Sequence, residues 1–247
     1  MSLVYYFDLG NTRGKLWRSR DGVIDARFSA PYGGDMSAFL SLLPADFQLM
    51  PDAVQGASVL DEAAQEVFSG ACMSKWSLLP DFAQSSARHA GVISAYTEDP
   101  TRLGVDRWLA LIAVRERMAD VCVVDCGTAI TLDMLRSDGV HLGGYILPGL
   151  LMMEASLRRH TARVHFEGAA EADGTSLGQS TREAVRHGAL AAVVALIERV
   201  ARGGAVRLVL TGGDAARVSA CLDDSHECEP ELLLHGLRRY FADAGIN

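Results

Sequence analysis

The sequence predicts an α/β fold made of two copies of one domain with a cleft between them, and three observations carry that prediction. Strand-like and helix-like segments alternate along the chain. An apolar run ends in Asp8-Leu9-Gly10-Asn11-Thr12 and re-enters an extended segment. A second run, Val121-Cys122-Val123-Val124, ends in Asp125-Cys126-Gly127-Thr128 and does the same. The repeated order of strand, Asp-x-Gly, Thr, strand is the trace of an internal duplication, and ligand clefts favour domain interfaces. The boundary that suits this echo gives an N-terminal domain of residues 1–117 and a C-terminal domain of residues 118–247.

The elements follow from local chemistry. Leu3–Phe7 is short, apolar and rich in aromatic and β-branched residues, so it reads as a strand. Asp8 to Thr12 is turn chemistry, and Lys15-Leu16-Trp17 resumes extended character, which makes a hairpin. Residues 23–30 add a third strand. Met36–Leu43 and Asp61–Ser69 read as helices, with a strand at Ala53–Val59 between them. From Arg107 to Met118 the chain contains no breaker and reads as a buried helix. Val121–Val124, Ile130–Leu135 and Val140–Ile146 are extended. Leu150–Arg159 and the long, Ala-rich Arg182–Arg202 are helical. Val206–Leu210 is a last strand, and Gly212-Gly213 opens a helix after it.

Bulk properties exclude several classes. Of 247 residues, 49% are hydrophobic and 22% charged, the balance of a soluble globular protein. The formal charge of −8 does not suit a phosphate backbone, so no nucleic-acid partner is expected. Basic groups such as Arg158-Arg159 and Arg182 to Arg186 read as solvated helix faces. No apolar run reaches the ~18 residues of a membrane helix, and no signal peptide precedes Leu3, so a cytoplasmic location is expected. The five cysteines, Cys72, Cys122, Cys126, Cys221 and Cys228, are odd in number and form no CxxC pair. They imply neither a disulfide framework nor a zinc site, and each reads as a small buried hydrophobe.

The two Asp-x-Gly turns suit ATP phosphates. Glycine lets the backbone approach a phosphate, and successive N–H groups in such a turn form an anion-binding concavity. Thr12 and Thr128 add hydroxyls. Asp8 and Asp125, at strand ends, would hold magnesium directly or through its waters, and Lys15 would bring positive charge to the transferred phosphoryl group. For either turn alone, an ordinary β-turn is the better account. With Thr211-Gly212-Gly213 as a third element, the ordered set resembles the two phosphate segments and the adenosine segment of the actin, hexokinase and Hsp70 superfamily. There is no GxxxxGK[ST] loop and no protein-kinase HRD or DFG motif.

Between the turns lies Leu103-Gly104-Val105-Asp106-Arg107-Trp108. Asp106 suits a proton acceptor and Arg107 a carboxylate-binding fork. In isolation an Asp near a helix N-terminus followed by a surface Arg explains the pair equally well. Taken with Gly143-Gly144-Tyr145-Ile146-Leu147-Pro148-Gly149, the motifs resemble those of the type III pantothenate kinases in order and spacing, from residue 3 to about residue 215.

The resemblance implies two ribonuclease-H-like (actin-like ATPase) domains and the ATP-dependent phosphorylation of pantothenate, the first step of coenzyme A biosynthesis. It implies Asp106 as the catalytic proton acceptor. Asp8, Leu9, Gly10, Asn11, Thr12, Arg13, Gly14, Lys15 and Thr128 would bind ATP. Tyr96, Gly104, Val105, Asp106 and Arg107 would bind pantothenate. Asp125 would bind a monovalent cation, K+ or NH4+, and Mg2+ would accompany ATP at Asp8. Thr181 would reach the substrate from a partner subunit, which implies a homodimer with a composite site. Two alternatives remain: another small-molecule kinase of the superfamily, and a non-catalytic regulatory accessory factor on the same fold.

Overall fold

A computed structural model of the chain describes residues 2–31, 35–161, 174–202, 206–223 and 225–243. They fall into two compact units: Met1–Ala90 with Tyr96–Ala113 and Leu233–Asn247, and Gly91–Ala95 with Val114–Leu232. Each unit is therefore discontinuous in sequence, whereas a single boundary after residue 117 was expected.

The first unit is built on strands β1 (Leu3–Leu9), β2 (Arg13–Arg20), β3 (Val23–Pro31), β4 (Ala53–Ser58) and β5 (Asp81–Phe82), in the order β3-β2-β1-β4-β5. β1 to β3 form an antiparallel meander, and β4 lies parallel to β1. Helices α1 (Met36–Ser41) and α2 (Glu62–Trp76) belong to this unit. The core joins Tyr5, Phe7 and Leu9 of β1 to Phe39, Phe47, Phe68 and Trp76. The Tyr5 hydroxyl donates to the Leu49 carbonyl at 2.9 Å and the Trp76 indole to Phe47 at 3.2 Å, so both rings bury without a lost hydrogen bond. α2 starts where Asp61 accepts from the Ala64 amide. It runs past Ser69, the expected end, to a left-handed Ser77, because Phe68, Cys72 and Trp76 continue the buried stripe.

Two short strands, β6 (Arg88–His89) and β7 (Val92–Ile93), precede α3 (Val105–Val114). α3 stops four residues before Met118. A 3-10 turn at Arg115–Arg117 and a left-handed Met118 end it.

The second unit repeats the first. Strands β8 (Val121–Cys126), β9 (Ala129–Leu135), β10 (His141–Pro148), β11 (Arg207–Thr211) and β12 (His226–Cys228) lie in the order β10-β9-β8-β11-β12. Again the first three are antiparallel, and β11 runs parallel to β8. α4 (Leu150–His160), α5 (Thr181–Ala201) and α6 (Ala215–Ser219) complete it, and Leu190, Val193 and Ile197 of α5 pack on β8, β9 and β11. The shared strand order bears out the duplication read from the two Asp-x-Gly hairpins.

One helix has no counterpart in the sequence reading. α7 (Leu232–Asp243) turns Leu233, Leu234, Leu237, Tyr240 and Phe241 toward Trp17, Ala57 and Leu109. Gly236 allows the contact, since a Cβ there would lie 2.1 Å from the Leu109 carbonyl oxygen. Among the cysteines, Cys72, Cys122 and Cys126 are buried as expected, but Cys228 is exposed and Cys221 partly so. Among the described residues no helix is long and apolar enough to cross a membrane.

Gly236→Ala should cost about 1–3 kcal/mol through overpacking, at roughly 2–4 °C of Tm per kcal/mol. Gly70→Ala in α2 meets nothing within 4 Å and should gain about 0.5–1 kcal/mol from the better helix former. Thermal unfolding of both variants measures the contrast. Equal Tm shifts would refute close packing at α7.

Candidate active site

In the first unit, Asp8, the penultimate residue of β1, is in register with Lys15 of β2. The Lys15 ammonium lies 3.2 Å from Asp8 Oδ2. Asp8 is 9% exposed, and burial pushes its carboxyl above the ordinary value. Lys15 opposes that rise by charge and hydrogen bond, while the nearby Asp106 carboxylate adds to it. Two acids and an ammonium are thus electrostatically coupled within one unit.

The turn from β1 to β2 is closed by the Gly10 amide donating to the Arg13 carbonyl at 3.1 Å. Asn11 and Thr12 are exposed at its tip. Gly14 is buried against the Phe39 ring, where a Cβ would sit 2.5 Å from the nearest carbon. Leu9 commits its side chain to the core. Arg13 leans on β3, with Nε 3.4 Å from Ser29 Oγ and Nη2 3.4 Å from the Ser29 carbonyl.

The segment Gly104–Arg107 opens α3. Asp106 Oδ1 accepts from the Arg107 amide at 2.8 Å. A Cβ on Gly104 would lie 2.6 Å from that same oxygen, so glycine clears the space the carboxylate occupies. Arg107 is buried, and its Nη1 donates to the Tyr96 hydroxyl at 3.2 Å, with the guanidinium carbon 6.0 Å from the ring centroid. Val105 packs against the apolar cluster that contains Leu109 and Leu234 and so offers its backbone. The Arg107–Tyr96 contact joins two residues eleven positions apart that were expected in one substrate-binding set.

In the second unit, three glycine segments meet around the β8–β9 turn. The Gly127 amide donates to the Ala129 carbonyl at 3.1 Å, closing the turn. The Gly149 amide, before α4, donates to the Thr128 carbonyl at 3.0 Å, and a Cβ on Gly149 would lie 2.4 Å from that oxygen. Asp125 of β8 is in register with Thr211 of β11. Gly212 follows at φ +92°, a conformation L side chains avoid, and a Cβ there would lie 2.4 Å from Asp125 Oδ1. The Asp214 amide donates to the Cys126 carbonyl at 2.9 Å. Burial pushes the Cys126 thiol up to about 12, so it is an inert core group. Thr181 is exposed as the first residue of α5, after the Ser180 cap, whose Oγ accepts from the Glu183 amide at 3.2 Å.

A family model described as type III pantothenate kinase matches residues 5–203 of the chain. The chain belongs to the type III pantothenate kinase family. A type III pantothenate kinase from Nitrosococcus oceani is 36% identical to it, with 98% of this chain and 94% of the relative covered. Among solved structures, a Baf family transcriptional activator from Campylobacter jejuni superposes with a TM-score of 0.63 at 21% identity, covering 98% of each chain. MreB 5 of Spiroplasma citri superposes with a TM-score of 0.55 at 10% identity, covering 99% of this chain and 97% of that one. These structural likenesses establish the fold, an actin-like pair of α/β domains, as the resemblance implied.

The buried Asp8 carboxyl has a consequence for stability. The folded chain retains a proton at Asp8 over a pH range where the unfolded chain has lost it. Stability therefore falls as pH rises from the ordinary value of 3.8 through the raised one. Without nucleotide or metal, Asp8→Asn should melt above the wild type at pH 7, and the gap should close below about pH 4. Thermal unfolding across pH checks this, and a gap that does not change with pH would sink it.

Proposed function

We propose that this protein transfers the γ-phosphoryl group of ATP to the 4′-hydroxyl of pantothenate. The observation that carries the reading, beside family membership, is the acceptor constellation of Asp106, Arg107 and Tyr96 in the unit that also holds Asp8 and Lys15. A kinase for a carboxylate-bearing alcohol needs a proton acceptor, an anion-binding fork and positive charge near the phosphates. All three are present.

Phosphoryl transfer through a loose transition state asks mainly for positioning and charge stabilisation. Arg107 docks the pantothenate carboxylate, with the Tyr96 hydroxyl steadying the guanidinium. Asp106 orients the 4′-hydroxyl and accepts its proton as the new O–P bond forms and the bond from the γ-phosphorus to the departing ADP oxygen breaks. Gly104 leaves room for that carboxylate, and the Arg107 amide holds its orientation. The amides of Gly10 to Lys15 and the Lys15 ammonium stabilise the phosphate oxygens, and Thr128 contacts the nucleotide.

The residues present fit the two cations of the family. Asp8 is a desolvated carboxylate made less comfortable still by Asp106, and a divalent ion would relieve both effects. Magnesium binds through one or two carboxylates and the substrate phosphates, which accords with the absence, among the described residues, of any cluster of three or more His, Cys, Asp or Glu ligands. Asp125 would take the monovalent cation, because Gly212 keeps side-chain bulk off its Oδ1. Held by Asp8 and Asp125, such ions would supply positive charge to the phosphates.

Homodimerisation completes the reading, with Thr181 supplied by a second copy. It is supported by an apolar surface on the second unit. Edge strand β10 exposes Leu142, Tyr145 and Ile146, and α4 exposes Leu151 and Met152. An exposed apolar edge of this kind calls for a cover.

A coupled ADP-release assay with ATP, magnesium and potassium should show turnover only with pantothenate. Asp106→Asn should lower kcat by about 10²–10⁴-fold. Arg107→Lys should raise KM for pantothenate while leaving KM for ATP near the wild-type value, since an ammonium cannot reproduce the fork. Absence of pantothenate-dependent turnover under varied cations would overturn the substrate. In sedimentation, Ile146→Glu should convert a dimer to monomers; an unchanged sedimentation coefficient would place the interface elsewhere.

A further inference from the structure

Gly14 stands where the backbone does not ask for glycine. It is the second residue of β2, paired with Leu9 of β1 and with Ala30 of β3. Its φ is not positive, so its conformation is open to other residues. The space beside its Cα is what excludes them. A Cβ there would lie 2.5 Å from Phe39 Cζ, 2.7 Å from Cε2 and 3.0 Å from Cε1, so the outer end of the ring is aimed straight at the strand.

Phe39 belongs to α1 and is fully buried. Its ring centroid is 5.6 Å from that of Phe28 on β3, and it shares a core with Leu9, Leu16 and Phe47. Across the sheet, Phe7, Leu16 and Phe28 form one row of partners, and Leu9, Gly14 and Ala30 form the next row on the same face. The side chains shrink between the rows, and the Phe39 ring fills the room that Gly14 leaves. Such a contact is stiff, because interiors are packed as densely as organic crystals.

The contact lies at the root of the turn from β1 to β2. One residue before it, the Arg13 carbonyl accepts the Gly10 amide at 3.1 Å and closes the turn. One residue after it, Lys15 faces the opposite side of the sheet, with its ammonium 3.2 Å from Asp8 Oδ2. A shift of β2 at Gly14 would move both the closure and the ion pair.

We infer that Phe39 is a positioning residue for the nucleotide loop: its ring seats β2 at Gly14 and so sets Lys15 against Asp8. The glycine at position 14 serves that ring and not the approach of a phosphate. The inference rests on the assignment of the loop from Asp8 to Lys15 to ATP. Every group it uses lies in the first unit.

A swap of volumes tests it. Gly14→Ala should lower Tm by about 2–10 °C through overpacking and raise KM for ATP by about 3- to 10-fold, the scale of one displaced hydrogen bond. Phe39→Leu should also lower Tm and raise KM for ATP to a similar extent. KM for pantothenate should stay at the wild-type value in both. In the doubly substituted chain the new methyl group enters room that the ring has vacated, so Tm and KM for ATP should both return toward wild type. A Gly14→Ala chain that melts like the wild type overturns the contact. If Gly14→Ala raises KM for ATP by the same factor with and without Phe39→Leu, the glycine serves the phosphate directly and the proposal fails. Equal rises in KM for ATP and for pantothenate also overturn it, by revealing a general loosening. A wild-type chain that takes up no nucleotide would refute the assignment of the loop to ATP instead, and the melting temperatures of the four chains would still judge whether the ring seats β2.

Discussion

The burial of the central strands, β1 and β8, is the constraint on which the rest depends. Tyr5, Phe7 and Leu9 of β1 enter one core, as do Cys122, Val124 and Cys126 of β8 in the other. Asp8 and Asp125 come at the carboxyl ends of these strands, where open α/β sheets place their ligands. The parallel neighbours must then lie close. Gly56 of β4 allows this beside β1, since a Cβ would fall 2.1 Å from the Phe7 carbonyl oxygen, and Gly212 allows it beside Asp125. Each carboxylate is thus delivered by a strand that has little freedom to shift.

This arrangement sets function against stability within the first unit. Asp8 is desolvated, and Asp106 adds repulsion that Lys15 only partly offsets. A chain selected for stability alone would place fewer acids there. The ligands proposed for the site, a divalent cation and nucleotide phosphates held by Lys15, supply what the protein lacks. Catalytic sites commonly carry such perturbed groups, and stability is given up where charge must be ready for the substrate.

The longer strands and most helices were legible because their signals are local, whereas β5, β6, β7 and β12, of two or three residues each, were not read. The Asp-x-Gly hairpins announced both meanders, and Asp61 marked the start of α2. The end of α2 was less legible, since Phe68, Cys72 and Trp76 become a stripe only when β1 and the Phe47 segment face them. α3 ended early for a reason of the same kind: Arg115 turns to the Gly91 and Ser137 carbonyls, which no helix-propensity argument anticipates. α7 went unread because its apolar face is answered by Trp17, Ala57 and Leu109, all more than a hundred residues away in sequence. Arg13 was grouped with the ATP loop by position, yet its guanidinium leans on Ser29 of the adjoining strand.

By itself the sequence determined the duplicated α/β class and the two Asp-x-Gly turns that join the first strands of each unit, because turn chemistry and strand patterning act over a few residues. Tertiary structure alone decided that Tyr96 meets Arg107, that Asp8 feels Asp106, that Gly104 clears the Asp106 carboxylate and that His141 accepts from the Ala95 amide. Those are contacts of distance and direction between segments far apart or differently oriented. Their energies depend on burial and on which atoms face each other, quantities that exist only once the chain has folded.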